Sequence, residues 1–273
     1  MASQLIEKYM RTEHLPHIWC PGCGNGVIMH SVVRAIDNLK LDKNNVCVVS
    51  GIGCSSRAAG YLDFNTIHTT HGRALAFATG IKLAKPELEV IVIAGDGDIS
   101  AIGGNHLIHA ARRNVGMTVV VINNNIYGMT GGQYSPTTPN GEFGTTAPYG
   151  NIDRPFDIAA LAAGAGASYT ARGTTYNPAQ TTFCIQKGIL HKGFSLIECV
   201  SVCPIYYGRK NKKGNAVDMI KWQRDNSIPF EKAEKMSPEE LKGKLVTGVL
   251  SHTNYPEYTS EYAKIIDKLE DNP

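Results

Sequence analysis

The stretch Gly95 to Asn125, GDGDISAIGGNHLIHAARRNVGMTVVVINNN, constrains this chain more than any other. It opens directly behind the apolar run EVIVIA (Glu89 to Ala94), which is short, β-branched and uninterrupted, the pattern of a parallel strand buried on both faces. Asp96 therefore falls where a strand gives way to a loop, the end at which open α/β sheets bind their ligands. Ile102 to Arg113 has helical spacing with Ile102, Leu107 and Ala110 expected inward, and TVVVI (Thr118 to Ile122) reads as a second buried strand ending in three asparagines. Such a βαβ unit sets an acidic oxygen from Asp96 beside an amide oxygen from Asn124, above adjacent strands. Oxygen ligands of that kind suit Mg²⁺ carrying a diphosphate, whose own oxygens complete the octahedral shell. A GDG by itself is equally an ordinary turn; the strand, helix, second strand and asparagine run around it carry the ligand reading.

Length and composition bound the rest. At 273 residues, with 42% hydrophobic, 19% charged and 28 glycines, the chain is expected to form an α/β protein with many close backbone approaches. A net charge of +3 is too small to imply nucleic acid or a membrane surface as partner. The start, MASQLIEKYMRTEHLP, has no apolar core of signal-peptide type, and no later run approaches the ~18 apolar residues that span a bilayer, so a cytoplasmic protein is expected. Seven cysteines in that compartment point to metal or redox use rather than a disulfide framework.

Residues 1 to 17 read as a short amphipathic helix and an extended arm, which delivers Trp19-Cys20-Pro21-Gly22-Cys23-Gly24. A Cys-x-x-Cys serves as a redox disulfide, half a zinc site or half an iron–sulfur site; the residues before it do not form the strand that a thioredoxin-like motif needs. A helix comes next at Asn25 to Leu39, then a strand and loop in VCVVSGIGCSS. Cys47 lies within that strand and reads as a small buried hydrophobe. Cys54 lies past its end, in Gly51-Ile52-Gly53-Cys54-Ser55-Ser56-Arg57, a loop suited to cradling part of a cofactor. His71 precedes the small-residue helix ALAFATGIKLA, where it either meets a phosphate or caps the helix. His106 and His109 stand three apart on the central helix, but with no third ligand they read as structural. The segment Tyr134 to Pro155 is long and rich in Pro, Gly and Thr, as expected of a loop that covers a site or contacts a partner. Strand and helix then alternate to Pro204, with Cys184 inside a helix, Cys199 inside a strand and Cys203 at that strand's ligand end. From Tyr207 the chain changes character: GRKNKKGN is basic, and the last residues, to Pro273, are charged with short amphipathic pieces. Residues 1–208 are thus expected to form the main domain and 209–273 a C-terminal extension that packs on it or on a partner subunit. Cys20, Cys23, Cys54 and Cys203 together supply four thiolates from three loops on one side of the sheet, enough for a [4Fe-4S] cluster or for zinc.

These stretches carry a resemblance. GDG succeeded, after a helix and a strand, by NN resembles the thiamine diphosphate signature. IWCPGCGNG, SGIGCSSR, HTTHGRALAFATGIKLA, GDGDISAIGGNHLIHAARRN, NNNIYGMTGGQYSPTT and Cys203-Pro204 resemble the β subunit of a 2-oxoacid:ferredoxin oxidoreductase over residues 18 to 208, most closely the 2-oxoglutarate branch. The resemblance implies a thiamine diphosphate-binding α/β fold, a mostly parallel sheet with helices on both faces. It implies Mg²⁺ on Asp96, Asn124 and the Ile126 carbonyl, and a [4Fe-4S] cluster on Cys20, Cys23, Cys54 and Cys203. It implies thiamine diphosphate contacts from Ile52, Gly53, Cys54, Ser55, His71, Gly95, Gly97, Asp98, Gly128 and Met129, with the glycines admitting the phosphates and Met129 in place of the usual leucine beneath the bent cofactor. Arg57 matches a basic position near the substrate carboxylate, and with His71 is the residue expected nearest the chemistry. The implied reaction is CoA-dependent oxidative decarboxylation of a 2-oxoacid, with electrons passed to ferredoxin. An α subunit, with further γ or δ subunits possible in such enzymes, is expected to supply the glutamate that activates the aminopyrimidine. Gly131 departs from the family, standing where relatives often carry lysine. The pyruvate and broad-specificity 2-oxoacid:ferredoxin oxidoreductases stand behind the 2-oxoglutarate branch; a non-oxidative thiamine diphosphate decarboxylase needs no cluster, and a zinc-stabilised non-catalytic protein needs no cofactor; all are rivals to this reading.

Overall fold

The computed structural model describes residues 2–270. In chain order its strands are β1 (Val46–Ser50), β2 (Asn65–His68), β3 (Glu89–Gly95), β4 (Met117–Asn123), β5 (Ile126–Tyr127), β6 (Gln133–Tyr134), β7 (Tyr169–Thr174), β8 (Phe194–Val200), β9 (Ser227–Pro229) and β10 (Leu245–His252). Eight form one sheet in the order β2-β1-β3-β4-β8-β7-β10-β9, and β5 and β6 form a separate ribbon. From β2 across to β7 every neighbouring pair is parallel.

The uninterrupted apolar strands are explained by burial on both faces. In β3, Ile91 and Ile93 enter one core with Ile28, Val32 and Ile36 of the Asn25–Asn38 helix and Ile185 of the Pro178–Leu190 helix. Val90, Val92 and Ala94 enter the other, against the helices Ala74–Ala84, Gly104–Arg112 and Ile158–Gly164. Each fully buried Ile or Val contributes about 1.5–3 kcal/mol, so the central strands anchor the molecule. Cys47 packs in the second core, Cys184 and Cys199 in the first, all as small apolar side chains.

The chain leaves β1 for β2 on one side and returns to β3 on the other, which makes the β1/β3 boundary the topological switch point, where open α/β sheets bind ligands. The segment 209–273 adds strands to this sheet: β10 pairs antiparallel with β7, and β9 pairs with β10. Asn114 Nδ2 donates to the Tyr255 and Pro256 carbonyls at 3.1 Å each, which ties down the chain just after β10. Among the described residues no helix is long and apolar enough to cross a membrane.

One expectation about the central helix fails. Asp98–Ile102 is a π-helical turn, and only from Gly104 does a regular α-helix begin. The wider turn rotates Ile102 outward, 50% exposed, while Leu107 and Ala110 face the core as their spacing predicts.

Candidate functional site

The loops at the C-terminal ends of β1, β3 and β4 enclose a pocket at the switch point. Ile52 to Ser55 form one wall, Gly95 to Asp98 the second, Asn124 and Ile126 to Thr130 the third, and His71 closes it. All the expected thiamine diphosphate contacts, and all three expected Mg²⁺ ligands, therefore meet in one cavity. Arg57 lies outside it, in the short turn after Cys54, with its Nε buried and unpartnered. A larger cavity at the opposite end of the strands, between Lys82, Glu89, His191 and Glu257, gathers none of the expected site residues.

Asp96 is one of two buried acids that line this pocket. Ser135 Oγ and Thr137 Oγ1 each donate to its Oδ2 at 2.6 Å. Burial pushes its carboxyl up, and those hydroxyls together with the Gly97 N–H oppose the rise. Both hydroxyls fall on the same oxygen, Oδ2. Thr137 also reaches Asn123 Oδ1 at 3.0 Å, and Asn123 Nδ2 donates to Glu198 at 2.7 Å. Arg172 in turn spans Glu198 and Asp157. Polar side chains on β4, β7 and β8 thus gather behind the Asp96 carboxylate. Asn124 is buried, its Oδ1 accepting the Ile126 N–H at 3.2 Å, and Asn125 takes the left-handed conformation, φ +63°, that asparagine tolerates.

Asp98 is used within the protein. Its Oδ1 accepts from His71 Nδ1 and from the Gly72 N–H, while its Oδ2 is buried without a partner, tucked where a side chain at Gly51 would stand. This fixes His71 with Nδ1 toward the carboxylate and leaves Nε2 as its free nitrogen, beside the Tyr127 ring at 6.2 Å between centroids. The structure gives Gly97 a reason to be glycine: the Tyr127 ring fills the space a Cβ would take, and the Tyr127 hydroxyl donates to the Gly97 carbonyl at 3.0 Å. Burial, then the carboxylates of Asp96 and Asp98, push the Tyr127 phenol up to about 12, so it remains a donor.

The cysteine loops converge beside the pocket. Trp19 Nε1 donates to the Cys54 carbonyl at 2.7 Å, and the Gly24 N–H donates to the Val202 carbonyl at 3.1 Å, so the Cys-x-x-Cys arm is tied to both other loops. Gly128 lies between two thiols: a Cβ there would stand 3.5 Å from Cys54 Sγ and 3.7 Å from Cys203 Sγ. Burial pushes the Cys23 thiol up to about 12 and Cys54 up to about 11, and in both cases the neighbouring cysteines add to the rise. Burial also raises Cys203, against backbone N–H groups of Tyr207, Tyr206 and Ile205 that favour its thiolate. Buried thiols that repel one another as thiolates are a donor set suited to zinc or to an iron–sulfur cluster, either of which replaces their protons. Among the described residues no three His, Cys, Asp or Glu side chains are grouped to hold a single metal ion. Cys199 points away into the core. His106 accepts from Arg73 at 3.1 Å, and neither it nor exposed His109 joins a site.

The family model for thiamine pyrophosphate enzymes, C-terminal TPP binding domain, matches residues 51–199. The chain is 55% identical to the 2-oxoglutarate synthase subunit KorB of Methanocaldococcus jannaschii, over 96% of this chain and 97% of that one. It is 41% identical to the 2-oxoacid:ferredoxin oxidoreductase subunit beta of Saccharolobus solfataricus, over 88% and 79% respectively. The chain belongs to the 2-oxoacid:ferredoxin oxidoreductase β-subunit family. A solved structure, the 2-oxoglutarate:ferredoxin oxidoreductase of Magnetococcus marinus with 2-oxoglutarate, coenzyme A and succinyl-CoA bound, superposes with a TM-score of 0.86 at 35% identity, covering 97% of this chain and 90% of that one.

As a β subunit of this family the chain carries a thiamine diphosphate-binding domain, and the structure adds residues that sequence pattern alone does not select. Ser135, Thr137, Asn123, Tyr127 and Trp19 all support the pocket or the cysteine loops. The Thr-rich start of the 134–155 loop is the one available signal for the hydroxyls; Asn123 stands in the asparagine run without distinction.

Proposed function

We propose that this chain, with an α subunit, converts 2-oxoglutarate and CoA into succinyl-CoA and CO₂, releasing one proton and two electrons that pass singly to ferredoxin. The observation that carries this reading is the double position of Cys54, which lines the cofactor pocket and also stands with Cys203 around Gly128. A ligand of an electron-accepting group thereby abuts the place where electrons are released, which a decarboxylase without oxidation does not need.

Asp96, Asn124 and the Ile126 carbonyl would hold Mg²⁺, which would supply positive charge for a diphosphate. Thiamine diphosphate, when bound, supplies the carbanion chemistry and the electron sink for decarboxylation; an iron–sulfur cluster on Cys20, Cys23, Cys54 and Cys203 supplies one-electron acceptance. This chain's residues do the placing. Ser135 and Thr137 aim the Asp96 carboxylate. Asp98 holds His71 in the tautomer that presents Nε2 as an acceptor, where it takes up a proton. Met129, lining the pocket and 45% exposed, is the apolar wedge beneath the cofactor. Arg57, with its unpartnered buried Nε, is the cation for the substrate's carboxylate. The α subunit closes the pocket and excludes water; apolar side chains on the long loop, Tyr149 at 98% and Ile152 at 90% exposed, suit that contact.

The test is coexpression with its α chain and a panel of 2-oxoacids scored by CoA-dependent viologen reduction. Preference for 2-oxoglutarate, with brown colour and bound thiamine diphosphate, is the expected result. CoA-independent aldehyde release, or a colourless zinc protein, would refute it.

A further inference from the structure

The basic segment after the last cysteine takes no part in the pocket or in the cysteine site. Arg209, Lys210, Lys212 and Lys213 place four cations in five positions. They are separated from Cys203 by a single π-helical turn, Pro204–Gly208. That turn is closed by the Gly208 N–H to the Cys203 carbonyl at 2.9 Å, and the basic segment by the Asn211 N–H to the Tyr207 carbonyl at 3.0 Å and the Lys213 N–H to the Gly208 carbonyl at 2.9 Å. Asn211 also exchanges side-chain hydrogen bonds with the Phe143 backbone, accepting at 2.7 Å and donating at 3.1 Å. The basic segment is therefore held at both its base and its flank.

Its charges are turned outward. Lys213 is paired with Glu142, whereas Arg209, Lys210 and Lys212 are exposed and, among the described residues, make no ion pair. The nearest acid in sequence, Asp218, is committed to the Asn215 N–H as part of a helix cap. The Cys-x-x-Cys loop packs on the same turn: a Cβ at Gly22 would meet Ala216 and Pro204. Of the four expected ligand cysteines, Cys20 in that loop is the exposed one. The loop that carries exposed Cys20 and the unpaired cations Arg209, Lys210 and Lys212 thus adjoin the same turn, Pro204–Gly208.

We propose that this basic turn is the docking platform for an acidic protein electron carrier, which takes electrons at the Cys20 edge. The inference rests on the reading that the four cysteines hold an iron–sulfur cluster. A fixed row of like charges raises the encounter rate with an oppositely charged carrier by about 10–10³-fold at low ionic strength and loses that advantage as salt screens it. A rigid base sets the carrier's orientation, which exposed charge on a mobile tail would not do.

The test uses the αβ complex, with an acidic two-cluster ferredoxin and methyl viologen as alternative acceptors. Compared with wild type are K210E/K212E and the milder K210Q/K212Q. The expected result is a fall in kcat/KM for ferredoxin of about tenfold or more in the Glu variant at low salt, with the Gln variant intermediate and the gap closing toward ~0.5 M salt. Viologen reduction, KM for CoA and the cluster's EPR signal should stay at wild-type values. Unchanged ferredoxin kinetics would overturn the proposal. So would a raised KM for CoA, which would give the turn to a nucleotide phosphate, or failure of the variants to bind the α chain, which would make it a subunit interface. Wild-type complex that lacks an iron–sulfur EPR signal would instead sink the underlying cluster reading.

Discussion

Replacing Thr137 by Val keeps the shape of a buried side chain and removes one hydroxyl. Thr137 Oγ1 donates to Asp96 Oδ2 at 2.6 Å, so the change removes one of the two hydroxyls on the proposed Mg²⁺ ligand. A hydrogen bond to a charged group contributes about 1.5–3 kcal/mol, or about 10–150-fold in a binding constant. Ser135 remains on the same oxygen at 2.6 Å and limits how far the carboxylate turns, which places the effect near the lower bound, about tenfold. The assay is calorimetric titration of Mg²⁺-thiamine diphosphate into the cofactor-stripped αβ complex. T137V should raise the dissociation constant about tenfold, T137S should restore it, and S135A/T137V should weaken binding further than either change alone. Cofactor affinity in T137V within about twofold of wild type, with D96A defective, would show that the hydroxyls do not aim the ligand.

The same geometry gives other expected outcomes. Asp96→Ala should abolish Mg²⁺-dependent cofactor retention while iron content is kept, measured by metal analysis of the purified complex. Cys54→Ser and Cys203→Ser should each lose iron, whereas Cys199→Ala should keep it at a packing cost of about 1–2 kcal/mol, read by iron content and thermal denaturation. Gly97→Ala must displace the Tyr127 ring, which should destabilise the chain by about 1–3 kcal/mol and weaken thiamine diphosphate binding together. Asp98→Asn leaves His71 free to change tautomer; turnover should drop about 10–100-fold with cofactor affinity less affected, and an equal loss in both would argue against a role through His71.

The sheet and the pocket are legible in the sequence because their signals are local. Glu89 to Asn125 contains strand, turn, helix and strand in one run, and a two-sided buried strand cannot be polar until it ends, so Asp96 and Asn124 are placed by where hydrophobicity stops. Ile102 faces outward against expectation because a π-helical turn departs from the 3.6-residue period on which the inward assignment depends. The two strands of the 209–273 segment escape sequence pattern for a different reason. β10 lies one place in from the sheet's edge, antiparallel to β7 and covered on its other side only by the three-residue β9, with its residues only partly buried and Gly248 within it, so the continuous apolar run that marks central strands is absent. Ser135 and Thr137 illustrate the general limit. Their partner Asp96 is far away in sequence, and nothing in a Thr-rich loop says which hydroxyl will be folded onto a carboxylate. Cys203 and Cys199 are separable because one lies beyond the strand's end and the other inside it.

The central claim is that one chain brings a thiamine diphosphate pocket and an electron-accepting cysteine site into contact through Cys54. Freeze-quench EPR of the αβ complex after mixing with 2-oxoglutarate tests it most directly. The account predicts a cluster-type reduced iron–sulfur signal that appears on substrate addition, is abolished in C54S, and does not appear in D96A, which lacks the bound cofactor but retains its iron. Decarboxylation of 2-oxoglutarate at the wild-type rate with the iron–sulfur signal unmoved, or a substrate-induced signal that persists in D96A, would contradict it.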